Sequence, residues 1–253
     1  MMRSLFLAAA MSGMVACLGC VPAPPHQATP AAGSFDPRNL QGLWVISNRS
    51  QRGYRDENLQ PLKDYLTPAA AKTRAAIDVA LDPSARCMTM FPRQMGWPYP
   101  LQIVQTPAVT LVLFEADQVF RQIHTDGRSW PDTDEQRWMG YSIGHWEGDT
   151  LVVQTSKFNP AAWLEADGTP ISENTMITER FRLTDAGRTL ENLMKIEDPV
   201  VFTRPVYRKY VYNLRNDWHL MEYFCAEGNR DNVFDQKEGQ AGSLKLSKPA
   251  ARE

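Results

Sequence analysis

"WMGYSIGHWEGDTLVVQT", residues 138–155, is the stretch whose reading decides the fold. Gly140-Tyr141-Ser142-Ile143-Gly144 has the form G-x-S-x-G, which in α/β-hydrolases sets a nucleophilic serine on a sharp strand-to-helix turn. No helix follows here. Ile143-Gly144-His145-Trp146 runs into a turn at Glu147-Gly148-Asp149, and then into the strand-forming run Leu151-Val152-Val153. Alternation puts Ser142 on one face with Trp138, Gly140, Gly144 and Trp146, and Met139, Tyr141, Ile143 and His145 on the other. Ser142 and His145 therefore face apart. His219 and Asp198 complete a triad order without any supporting local context. Ser142 reads as an ordinary strand residue, with Gly140 and Gly144 bending the strand at a barrel corner.

The same hairpin grammar extends in both directions. "LQIVQT", "VTLVLFEA" and "QVFRQIH" precede it, with a turn at Ala116-Asp117. "MITERFRL" turns at Asp185-Ala186-Gly187 into "TLENLMKI", and "VYRKYVYNL" turns at Asn216-Asp217 into "HLMEYFC". Strands at this spacing predict a mainly β chain, an antiparallel meander closed into a lipocalin/calycin-like barrel. Gly42-Leu43-Trp44 opens the first strand and resembles the Gly-x-Trp entry of lipocalin-like barrels. One N-terminal helix stands apart in "LTPAAAKTRAAIDVAL", where Thr67 caps and Pro68 suits the first turn.

The 253 residues, 43% hydrophobic and of net charge −2, fit one domain with a sizeable core. No basic stripe interleaved with aromatics appears, so nucleic acid is not an expected partner. Arg3 followed by an apolar run gives residues 1–16 the form of a signal peptide. Met14-Val15-Ala16-Cys17 suits a lipoprotein cleavage site, with Cys20 the less regular alternative and plain secretion a third. The expectation is a lipidated Cys17 with a Pro/Ala-rich tether over residues 17–35, a barrel over 36–235 and a loose tail over 236–253. The protein would then be exported to the periplasm or held at the outer membrane by its anchor. Cys87 and Cys225 remain in the mature domain, either as a disulfide or as two buried thiols. No grouped His/Cys spacing and no redox-cofactor motif is present, so neither metal nor cofactor is expected.

Several blocks, "RCMTMFPRQMGWPYPLQIVQTP", "RQIHTDGR", "WMGYSIGHWEGDTLVVQTSKFN", "ISENTMITERFR" and "MEYFCAEGN", together resemble a family of exported, largely uncharacterised bacterial proteins. The family is frequent in sphingomonads and acidobacteria, and the resemblance spans roughly residues 38 to 230. It implies a β-rich, barrel-like fold and no general activity. Family members often carry histidine where this chain has Trp130, Ile171, Met176 and Ala226, and sometimes at Tyr141. Any site those histidines serve is expected to be absent or rebuilt here, whereas Arg121, Glu179, Glu222, Cys87 and Cys225 are retained.

Those three charges also break the pattern of their own strands. Glu179 shares a face with Ile177, Phe181 and Leu183, Glu222 with Leu220 and Phe224, and Arg121 with Val119 and Ile123. Ionised groups on an inward face must be paired. The three side chains are therefore expected to converge inside the barrel, with Arg121 bridged to at least one carboxylate. They form either a ligand-binding floor or a network that fixes strand register. Tyr141 and His145 are candidate pocket polars, and Trp97 and Tyr99 in "FPRQMGWPYP" sit on a loop expected to cover one mouth. The functional expectation is a barrel binding a small apolar or aromatic molecule. The alternative is a cofactor-independent isomerase, lyase or dehydratase using Glu179 and Glu222, and a third reading is a structural envelope protein.

Overall fold

Among the described residues, nine strands hydrogen-bond in sequence order around a closed barrel. They are β1 (Gly42–Ile46), β2 (Leu101–Gln105), β3 (Val109–Phe114), β4 (Phe120–His124), β5 (Tyr141–Glu147), β6 (Thr150–Ser156), β7 (Met176–Thr184), β8 (Thr189–Glu197) and β9 (Val206–Leu214). This computed structural model describes residues 35–51, 53–63 and 65–225. The expected signal peptide, Cys17, Cys20, most of the expected tether and the expected tail over 236–253 lie outside them.

The mainly β barrel read from the sequence is present, and its turns fall where the turn residues stand. Gly148 (φ 61°) and Gly187 (φ 86°) supply left-handed backbone at two hairpin ends. One seam departs from a purely antiparallel meander. β4 and β5 run parallel, with just two registered pairs, Ile123↔Ser142 and His124↔Ile143. Residues 125–140 make the crossover that a parallel pair requires. The helix α1 (Pro68–Ala76) begins as expected, with Thr67 Oγ1 accepting from Ala70 N at 3.2 Å. It ends earlier than the alanine-rich run suggests, and a separate 3-10 turn follows at Val79–Leu81.

"HLMEYFC" is not a strand. The ring is already closed by β1 against β9, through Trp44↔Leu214, Val45↔Asn213 and Ile46↔Tyr212. β9 therefore has both neighbours, and no barrel edge is left to accept another strand. Residues 218–225 instead run outside, and Cys225 is disulfide-bonded to Cys87 with Cα atoms 5.5 Å apart.

The interior is lined from the strands and from one connecting segment. Trp44, Ile103, Val112, Ile123, Leu151, Val153, Phe181, Leu190, Met194 and Tyr212 are buried in one core. Segment 88–96 adds Met90, Phe91 and Met95 to it.

Candidate functional site

The interior holds two arginine–glutamate pairs. The first joins Arg121 on β4 to Glu179 on β7, with side chains 1% and 0% exposed. Arg121 Nη2 donates to Glu179 Oε2 and to Thr155 Oγ1 (2.7 Å), and Nε donates to Ser142 Oγ (3.1 Å). The Ser142 and Thr155 hydroxyls are 2.9 Å apart. Asn192 Nδ2 donates to Glu179 Oε1 at 2.8 Å. β4, β5, β6, β7 and β8 thus contribute one residue each to a single network, which spans the parallel seam. The guanidinium lies 3.9 Å from the centroid of the Phe91 ring, and Phe91 in turn stacks on Phe158.

Convergence holds for Arg121 and Glu179 and fails for Glu222. Glu222 lies in the outer segment, exposed, and lines a shallow surface pocket of about 430 Å³ with Leu113, Val119, Phe120, Leu220 and Met221. The alternation around it belongs to a segment that never joins the sheet.

Tyr141 and His145 also change sides. Both are on the outer face of β5, whereas Ser142 and Gly144 point inward and are buried. The opposition of the two faces was legible, but not which of them is internal. A side chain at Gly144 would meet Ile123 Cγ2 at 2.9 Å, so the glycine is an interior position filled from across the seam. Outside, Tyr141 stacks on His124 (5.1 Å) beneath Arg137, and His145, 61% exposed, pairs with Glu147. Burial, reinforced by the Arg128 charge, holds the His124 imidazole below its usual range. Asp198, the third member of the paper triad, accepts from Ser172, Thr175, Val200 and Val201 and so fixes a loop.

The loop packs into the core, through residues other than Trp97 and Tyr99. Phe91, Gln94 and Met95 are buried, and Tyr212 Oη donates to Met95 O at 2.6 Å. Trp97 and Tyr99 face outward, with Tyr99 stacked on Tyr223 at 4.9 Å.

The second pair was missed. Arg208 alternates inward with Val206, Tyr210 and Tyr212 along β9, while Lys209 faces out. That pattern, a charge interleaved with apolar residues, is the signal that singled out Arg121. Arg208 Nη2 forms an ion pair with Glu165, the side chains being 9% and 29% exposed. Glu165 lies in the loop between β6 and β7 and opens a turn, its carbonyl accepting from Gly168 N at 3.2 Å. Arg208 Nη1 donates to Tyr210 Oη (3.2 Å), and the guanidinium lies 4.4 Å from the Tyr54 ring centroid. Tyr54 packs edge-on against Tyr65 and Phe202, each at 5.4 Å. Burial raises the Glu165 carboxyl above its ordinary range, with Arg208 opposing and Asp167 adding to the rise. Burial likewise pushes the Tyr54 phenol well up, against the pull of Arg208.

Several buried polar atoms have no hydrogen-bond partner among the described residues. They include both amide atoms of Gln94, Arg121 Nη1, Asn192 Oδ1, Tyr54 Oη and Arg208 Nε. Among those residues no group of His, Cys, Asp and Glu is arranged to hold a metal ion.

No family model and no curated protein matches the chain. Among solved structures, a secretary abundant heat soluble (SAHS) protein from Ramazzottius varieornatus is similar at 12% identity and a TM-score of 0.35. The match covers 72% of this chain and 100% of that one.

Proposed function

We propose that this is an exported, lipid-anchored member of the bacterial family it resembles, binding a small, largely apolar or aromatic molecule inside its barrel. The observation that carries this reading is the set of unpartnered polar atoms of Gln94, Arg121 and Asn192 in a largely apolar core that includes Phe91, Met95 and Tyr212. An unpaired buried polar atom costs about 1–3 kcal/mol, and a bound molecule with a polar handle offsets that cost. The enzyme alternative draws no comparable support. Both oxygens of Glu179 are engaged by Arg121 and Asn192, and Glu222 is outside the barrel.

Native mass spectrometry of the mature protein, purified gently from membranes, tests the reading. The expected result is a small organic molecule of defined mass on the wild type and its loss in Gln94→Leu, with the fold retained. A wild type that carries nothing, together with a Gln94→Leu variant that is merely more stable, overturns it.

A further inference from the structure

The Arg208–Glu165 pair has an arrangement that an arginine reserved for packing does not need. A guanidinium recognises a carboxylate best along its side-on edge, where the Nε and Nη2 hydrogens point in parallel. Glu165 contacts Nη2, and Nε has no partner among the described residues. Nη1 is spent on Tyr210 Oη, and one flat face is covered by Tyr54. Nε and Nη2 share one bidentate edge, with Nε open and Nη2 met by a carboxylate that reaches in from a turn.

Glu165 is also the movable partner. Arg208 is held by β9 between β8 and β1, whereas Glu165 begins a surface turn and retains access to solvent. The loop itself is fastened elsewhere, by Arg74–Asp167 at 2.6 Å and by Leu164 N to Thr169 O at 2.8 Å. Withdrawal of the Glu165 side chain therefore leaves those fastenings in place. The burial that raises the Glu165 carboxyl adds that its ionised form is poorly accommodated where it stands.

We propose that Arg208 is the anchoring cation for a small aromatic carboxylate, and that Glu165 is the internal carboxylate such a ligand displaces. The ligand's carboxylate takes Nε and Nη2 together, and its ring lies against the aromatic cluster of Tyr54, Tyr65 and Phe202. This names a ligand class for the interior-binding reading above and rests on it.

Isothermal titration of the mature chain with 2-naphthoate and its neutral counterpart 2-naphthamide separates charge recognition from apolar fit. Glu165→Gln removes the competing charge and keeps the shape. If Glu165 occupies the edge about nine-tenths of the time, the variant should bind 2-naphthoate about 10-fold tighter, with 2-naphthamide changed less than about 2-fold. Arg208→Gln should lose 2-naphthoate selectively. Should that variant fail to fold, Glu165→Gln still decides the matter. Equal gains for both compounds would report a loosened loop, and an unchanged or weaker affinity for 2-naphthoate would report a purely structural pair; either overturns the proposal. Binding of 2-naphthamide alone overturns the carboxylate assignment and leaves interior binding standing. Binding of neither compound by any chain overturns the Arg208 assignment, while the native mass spectrum judges interior binding independently.

Discussion

Arg121–Glu179 and Arg208–Glu165 are the same two residue types in the same barrel, yet they are built for different purposes. The first is anchored on strands at both ends, and hydroxyls and an amide from the three other strands of its network surround it. Taking apart one side leaves a charge that has nowhere to go. The second is anchored at one end only, and its carboxylate can turn to water. Burial alone does not tell a stitch from a latch; the attachment of the partner does.

The largest expected effect tests that contrast directly. Arg121→Met should cost about 3–5 kcal/mol in chemical denaturation, because the Glu179 carboxyl is left in the core without its partner. Arg208→Met should cost less, on the order of 1–2 kcal/mol, since Glu165 can rehydrate. Equal losses would erase the distinction between the two pairs.

Ser142→Ala sharpens the picture of the stitch. Its hydroxyl accepts from Arg121 Nε across the parallel seam and contacts Thr155 on β6. Its removal should cost about 1–2 kcal/mol by leaving a charged donor unmet. A melting temperature equal to that of the wild type would mean that the network does not brace this seam.

How much of this was visible in the sequence depends on what kind of signal each residue sends. Arg121 and Glu179 announce themselves, because a charge inside an apolar alternation has few places to go. Arg208 sends the same signal, but Lys209 beside it masks which of the two is internal. Ser142 was placed correctly relative to Tyr141 and wrongly relative to the core, since Gly140 and Gly144 carry no side chain to mark the inner face. That face is filled by Ile123 from β4, a neighbour that no local pattern announces. "HLMEYFC" has good strand chemistry and no partner. Pairing is a property of the closed ring, which alternation does not encode.

The smallest expected effect concerns the latch alone. Burial raises the folded-state affinity of Glu165 for its proton, so its contribution favours the fold at low pH. That contribution is present below the unfolded carboxyl value and is lost as pH rises through the raised folded one. Melting temperatures of the wild type and Glu165→Gln, followed from pH 4.5 upward, should show the wild type losing ground to the variant across that window. Parallel curves would mean that the carboxyl titrates as an exposed one does.

Closure of β9 onto β1 has a consequence for how the chain must come together in time. Trp44 pairs with Leu101 of β2 on one side and with Leu214 of β9 on the other, so the opening strand stays half-paired until almost the whole barrel sequence is available. The hairpins from β5 to β8 join near neighbours and can assemble early, whereas the seal joins the most distant strands of the barrel. Such non-local pairing is slow. Folding of this chain should therefore be paced by its last strand, with β1 waiting for it.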